Sequence, residues 1–278
     1  MTRILARLWR RLKNPKPRLT RGERSEIYNL QSTYDLWASR YPPVAHNALM
    51  EIEQAAMLEL MPDARPKVRA LDLACGSGRY ARILIERAAR PCEGLHPCEG
   101  CEPSQGSVIG ADFSWQMLAR AREITPRLAQ CDLGALPFAD EAFDLIVCGL
   151  AFGHAESLRD ALGEAARLLK RGGTLLYSDF HPAAQRAGLK RTFTAENGRT
   201  VEVPQHRYAL LDHFDALRDA RLEIEATREP TLRQAQGRLL RHPSTPLRTR
   251  AQDRLLREVR PDGSDLPIVL VVKARKMG

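Results

Sequence analysis

The chain is short of several things, and each shortage narrows what it can be. Its 278 residues include only six cysteines, and aromatic residues make up just 6%. No apolar run approaches the roughly 20 residues that a bilayer-spanning helix requires. Six cysteines without a charged, apolar, small-residue leader argue against a disulfide framework and a secretory route, so a cytoplasmic setting is expected. An evenly basic surface is missing too, although the formal net charge is +9. Residues 1 to 24 hold nine Lys/Arg against Glu23 alone, and residues 231 to 260 hold eight Arg against Asp253 and Glu258, which leaves −5 for the rest. An acidic body between two basic appendages argues against a broad phosphate-binding face, and no nucleic-acid partner is expected.

What is present is enough apolar material, 44% of residues, to build a large core. From about residue 68 the pattern alternates between strand and helix signals. "VRALDL", "SVIGADF", "RLAQCD", "AFDLIVCG" and "TLLYSDF" are short apolar runs of strand type. Between them lie segments of helical spacing: "GRYARILIERAAR", "SWQMLARARE" behind a Ser114 cap, and "LRDALGEAARLLKRGG" with Gly172 past its end. A helix in "YALLDHFDALRDA" and strands in "RLEIEATRE" and "LPIVLVVKAR" follow. Strands alternating with helices imply a doubly wound α/β sheet with its site at the carboxyl ends of the strands.

The most informative stretch is "LDLACGSGRYA", which puts Gly76 and Gly78 in a strand-to-helix turn where a missing β-carbon lets backbone approach a ligand. Alone it is ambiguous, because Gly76-x-Gly78-x-x-Ala81 also fits a dinucleotide-binding turn. Its company is more specific: Asp72 four residues before Gly76, Asp112 ending the second strand, Asp132 after the third, then "AFDLIVCG" and "LLKRGG" in order.

That ordered series resembles the class I S-adenosylmethionine-dependent methyltransferases of the type 11 kind, particularly the branch of ubiquinone/menaquinone-biosynthesis and malonyl-acyl-carrier-protein methyltransferases. The resemblance covers roughly residues 28 to 230 plus the final strand. It implies a Rossmann-like, mostly parallel sheet with an antiparallel last strand, and S-adenosyl-L-methionine as cofactor. It also implies roles: the Gly76/Gly78 turn under the methionine part, Asp112 at both ribose hydroxyls, and Asp132 with the Leu133 backbone at the adenine edge, with Asp72, Ala74 and Phe113 also among the cofactor-binding residues. Relatives often carry Gly where this chain has Ala74. The residue types suit the ligand, since a carboxylate matches the two donors of a ribose diol and acidic surroundings favour a sulfonium cation.

The interval from Gly78 to Asp112 is 34 residues, whereas one helix and one strand ordinarily put the ribose acid about 20 residues on. Removing 92–107 reduces it to 18. The removed piece repeats Pro91-Cys92-Glu93-Gly94 as Pro97-Cys98-Glu99-Gly100 and holds Cys92, His96, Cys98 and Cys101. It reads as an insertion, with a zinc knuckle as the alternative. Residues 231–260 read likewise, since "RQAQGRLLR" nearly recurs as "RAQDRLLR", with a partner-binding or nucleic-acid arm as the alternative. The expected organisation is a basic extension over 1–27, a helical lid over 28–66, and the methyltransferase domain over 67–278 with these two insertions.

In the lid, Tyr34, Trp37 and Tyr41 precede Pro42-Pro43, and Tyr34 is a candidate to close over the cofactor. His181, directly after a strand, is the first candidate for a general base and His154 the second. Residues 3–13 place Leu5, Leu8, Trp9 and Leu12 on one helical face among basic residues, a pattern suited to peripheral contact with an anionic membrane. The expected activity is methyl transfer to a small-molecule acceptor, by O- or C-methylation, with quinone precursors and carboxylates among the acceptors. A nicotinamide-dependent oxidoreductase and a non-catalytic cofactor-binding protein are the alternatives.

Overall fold

The computed structural model describes residues 29–62, 68–89, 107–231 and 265–278. The basic extension with its amphipathic residues 3–13, the zinc candidates Cys92, His96, Cys98 and Cys101, and almost all of the second proposed insertion lie outside them. Among the described residues, no helix is long and apolar enough to cross a membrane, and no cluster of His, Cys, Asp and Glu is arranged to hold a metal ion.

Two helices come first, α1 (Leu30–Ala38) and α2 (Ala48–Leu60), each started by an asparagine whose side chain accepts a backbone N–H of the first turn. The chain continues as β1 (Ala70–Leu73), α3 (Arg79–Ala88), β2 (Val108–Asp112), α4 (Trp115–Ala121), β3 (Leu128–Gln130), β4 (Phe143–Gly149), α5 (Leu158–Leu168) and β5 (Leu169–Phe180). It ends with the short α6 (Pro182–Arg186), the hairpin β6 (Thr192–Thr194) and β7 (Thr200–Glu202), α7 (Leu210–Asp219), β8 (Leu222–Arg228) and β9 (Val269–Lys276).

Seven strands form one sheet in the order β3-β2-β1-β4-β5-β9-β8. Pairings from β3 to β5 are parallel, and β9 runs antiparallel to both of its neighbours. β1, apart from Asp72, and the centre of β4 are apolar and buried on both faces, which is what a parallel strand covered by helices on each side demands. One face packs against α5 and α7 through Leu162, Ala165 and Leu217, and the other against α2 and α3 through Met57, Ile83 and Leu84. The expected fold class is therefore the observed one, the antiparallel last strand included.

Two local expectations need correction. The helix expected to run up to Gly172 stops at Leu168, and Lys170 and Arg171 already belong to β5. Gly172, at φ 74°, instead serves an irregularity in β5, where the pairing partners jump from Leu169 to Thr174. The β6–β7 hairpin was not legible as strands at all. Between β8 and β9, Thr231 forms an isolated antiparallel bridge with Pro267.

Candidate functional site

A cavity of about 960 Å³ opens at the carboxyl ends of β1, β2 and β4. In the sheet order these are adjacent strands with β1 in the middle, at the point where the crossovers change direction. The turn after β1 is tightly wound: Ala74, Gly76 and Gly78 all have positive φ, at 54°, 54° and 92°. Asp72 supports it from beneath, accepting the Ala81 N–H at 2.7 Å.

Asp112 closes the β2 side. Its two carboxylate oxygens accept from Gly76 N at 2.8 Å and from Ser114 N at 2.9 Å. Each oxygen keeps a lone pair for a further donor. Burial pushes the Asp112 carboxyl up to about 6 and that of Asp72 up to about 7, so both are poised for a ligand that donates hydrogen bonds or carries positive charge. Asp132 lies beyond β3, with its side chain turned back to accept Gly134 N at 2.8 Å, and Leu133 lines the cavity beside it.

The roof comes from α1 and the segment after it. Tyr34 makes edge contacts with Phe113 on one side and His154 on the other, with ring centroids 5.7 and 5.5 Å apart, and so spans the cavity above β1. Tyr41 stands over the glycine turn, with Cε1 3.5 Å from where a β-carbon on Gly76 would be. Trp37 stacks on Phe193 of the β6–β7 hairpin at 4.7 Å and 8°, which joins the roof to the far wall. Asp35 accepts from Ser114 Oγ at 2.5 Å, tying α1 to the start of α4. Underneath, Glu53 of α2 is fully buried and accepts from Arg79 Nη1, Tyr80 Oη and Ser178 Oγ at 2.7, 2.7 and 2.6 Å. One lid carboxylate thus gathers three groups, from α3 and β5.

The β4 side is chemically different. His154 Nδ1 lies 2.8 Å from the Pro204 carbonyl, which assigns its proton to that nitrogen and leaves Nε2 as an acceptor. Nε2 faces both Tyr34 Oη and Arg191 Nη1 at 2.9 Å. Burial and the neighbouring Arg191 hold His154 down to about 3, so it is neutral at physiological pH. Arg191 also donates to the Leu150 carbonyl at 2.7 Å.

Of the residues expected from the sequence, Asp72, Ala74, Gly76, Asp112, Phe113, Asp132, Leu133, Tyr34 and His154 all line this cavity. Gly78 does not; it begins α3 and packs against Ile124, whose Cγ1 would lie 3.2 Å from an added β-carbon. His181 is also elsewhere: it caps α6, accepting Ala183 N on Nδ1 at 3.0 Å, with Nε2 3.4 Å from Glu229. That position makes it a structural cap away from the cavity. Arg191, Gln205 and the Glu53–Arg79 pair were missed. They sit in segments without periodicity or motif, and only the fold brings them to the site.

Fold and site together define a Rossmann-like cofactor-binding domain. The antiparallel β9 inserted between β5 and β8 departs from the strand order of dinucleotide-binding sheets. Residues 71–177 match the protein family described as "Methyltransferase domain", and this part of the chain is a class I S-adenosylmethionine-dependent methyltransferase domain. The chain is 37% identical over 131 residues to the demethylmenaquinone methyltransferase of Thermus thermophilus, covering 45% of this chain and 52% of that protein. It is 34% identical over 135 residues to the malonyl-[acyl-carrier protein] O-methyltransferase of Enterobacter lignolyticus, covering 48% and 47%. The matched regions thus span about half the length of these curated relatives. Among solved structures, an S-adenosylmethionine dependent methyltransferase from Mesorhizobium loti superposes with a TM-score of 0.55 at 23% identity, over 81% of this chain and 98% of the other, which shows the shared fold.

Proposed function

We propose that this chain transfers a methyl group from S-adenosylmethionine to a small-molecule acceptor. The observation that carries this reading is the buried Asp112 carboxylate, fixed by the Gly76 and Ser114 amides and facing the cavity with unused acceptor capacity. The residues present fit the cofactor. Asp112 offers the paired acceptors a ribose diol needs, and Asp132 with the Leu133 backbone stands where an adenine edge would be met. The glycine turn admits the methionine part, and the acids around it suit a sulfonium cation.

When bound, the cofactor supplies a methyl carbon on a positively charged sulfur: the acceptor's lone pair forms the new bond, the carbon–sulfur bond breaks, and sulfur keeps its electron pair. The protein's own part is positioning and exclusion of water. Tyr34 and Tyr41 cover the site, and Glu53 anchors α2, the helix that follows them, to α3 and β5. Because the leaving group is already activated, holding the reactants in line supplies most of the acceleration, and a strong base is dispensable. His154, neutral and with Nε2 facing two donors, positions Tyr34 and Arg191 in this reading rather than taking a proton.

The acceptor class follows the relatives: a quinone precursor or a carboxylic acid, by O- or C-methylation. In this reading the enzyme works in the cytoplasm; almost all of both insertions, and residues 3–13, lie outside the described residues. Formation of S-adenosylhomocysteine from S-adenosylmethionine, followed over a panel of hydroxyquinones and carboxylic acids, tests the activity. Turnover on at least one acceptor that disappears in Asp112→Ala is expected; cofactor binding without turnover on any would favour a non-catalytic binding protein.

A further inference from the structure

The cavity has two chemical ends. On the β2 and β3 side its charged groups are the carboxylates of Asp112 and Asp132, with Asp72 under the turn. Two strands across, beyond the end of β4 and so about 10 Å away at the ordinary strand spacing, Arg191 brings a positive charge into a lining that also includes Glu156 and Asp160. Two arginines line the cavity, and they differ. Arg79 is matched by Glu53 at 2.7 Å. Arg191 is 7% exposed and has no ion pair at contact distance among the described residues, where it acts on the buried Asp179 and on Tyr34 beside it; its hydrogen bonds to Leu150 and His154 both use Nη1. A guanidinium has five N–H donors, so Nε and Nη2 keep three to offer. Burying such a charge without a counter-charge is costly, and proteins tolerate it where a ligand completes the pair.

A second, independent group points the same way. Gln205 lines the same cavity, and its Nε2 is buried without a hydrogen-bond partner. The two residues belong to the two ends of one excursion: Arg191 precedes β6, Gln205 follows β7, and the Arg191 carbonyl accepts Val203 N at 2.9 Å. The β6–β7 hairpin therefore carries both donors into the cavity as a unit, and the Trp37–Phe193 stack holds that hairpin against the lid.

We propose that Arg191 and Gln205 form the acceptor-binding end of the cavity and that they recognise a carboxylate, so that the methyl acceptor is a carboxylic acid. This rests on the methyltransferase reading above. A planar carboxylate with two acceptor oxygens matches a guanidinium edge joined by an amide N–H. It also arrives ionised at neutral pH, which agrees with a cavity whose histidine has no free lone pair for a substrate proton. His154 serves as a positioning residue here, since it and the Leu150 carbonyl fix the Nη1 side of the guanidinium and leave its other edge for the ligand.

Calorimetric titration of the protein, alone and saturated with S-adenosylhomocysteine, uses benzoate and octanoate as probes, with benzamide, octanamide and inorganic phosphate as controls. At least one carboxylate is expected to bind about tenfold or more tightly than its amide. Arg191→Met should remove that preference, Arg191→Lys should retain part of it, and Gln205→Leu should weaken carboxylate binding severalfold while leaving the melting temperature nearly unchanged. Thermal melts of every variant show whether Arg191→Met still folds; if it does not, Arg191→Lys and Gln205→Leu carry the test. Equal binding of acid and amide, binding of neither carboxylate, preference for phosphate, or carboxylate preference undiminished in both Gln205→Leu and whichever Arg191 variant folds would each overturn the proposal. Failure of S-adenosylhomocysteine to bind would count against the methyltransferase reading alone, because the carboxylate arm is also read on the unliganded protein.

Discussion

The backbone N–H of Gly76 donates to the carboxylate of Asp112 across 2.8 Å, so the glycine turn after β1 and the acid at the end of β2 form one unit. These residues are 36 positions apart in the chain, yet parallel pairing of Asp72 with Gly110 and of Leu73 with Ala111 puts the two strand ends side by side. Whatever moves the turn therefore moves the acid that faces the ligand.

The turn carries avoidable strain at Ala74, a non-glycine residue at φ 54°. The left-handed conformation costs an L-residue with a β-carbon about 1–2 kcal/mol, partly offset by the extra freedom glycine has when unfolded. Ala74→Gly is expected to raise stability by about 0.5–1 kcal/mol in urea denaturation, with cofactor affinity kept. A loss of stability would mean that the alanine methyl contributes packing that outweighs the strain.

Glu53 is the buried counter-charge of Arg79 and also the acceptor for Tyr80 and Ser178. Its removal leaves a cation in the core without a partner, a loss of about 3–5 kcal/mol. Glu53→Ala should lower the unfolding free energy obtained from urea denaturation by that amount, and Glu53→Gln, which keeps hydrogen-bonding capacity, by less. Equal behaviour of Glu53→Ala and wild type would show that α2 is not anchored through this residue.

Stability should also depend on pH in a defined direction. Asp72 and Asp179, both buried, are pushed up to about 7 from an ordinary 3.8, so the folded state resists their ionisation. Stability from this source is fully present below about pH 4 and is lost as pH rises through about 7. His154 and His213, held down to about 3 and 4, act oppositely: their contribution is present above about pH 6.5 and is lost as pH falls. In Asp72→Asn the side-chain oxygen can still accept Ala81 N while the ionisation is gone. Its melting temperature relative to wild type should therefore rise by several degrees between about pH 5 and pH 8. A difference that stays constant with pH would contradict the assignment.

Much of the sheet and its acidic cofactor side could be read from the sequence, for a physical reason. Parallel strands buried on both faces leave apolar runs such as "LIVC" within "FDLIVCG", whose carboxyl ends open on the cavity. Asp112 and Asp132 could be placed at the carboxyl ends of strands because each acid directly closes or follows a short apolar run, and both line the cavity. The β4 side was not readable. Arg191 and Gln205 flank a short hairpin whose strands of three residues are too brief to show a period, and their placement comes from Trp37 and the Leu150 carbonyl, more than 40 positions away. His181 looked catalytic because it follows a strand directly, but the same position also makes it the cap of the next helix, and local capping is the role it takes.

Titration calorimetry with S-adenosylhomocysteine, with NADH as competitor and Asp112→Ala as control, tests most directly whether the cavity beside Asp112 holds S-adenosylmethionine. The expected result is binding of one S-adenosylhomocysteine per chain, no competition by NADH, and a loss of affinity of about tenfold or more in Asp112→Ala, the cost of removing hydrogen bonds to a charged acceptor. Absence of binding, preference for NADH, or an affinity unchanged in Asp112→Ala would contradict it.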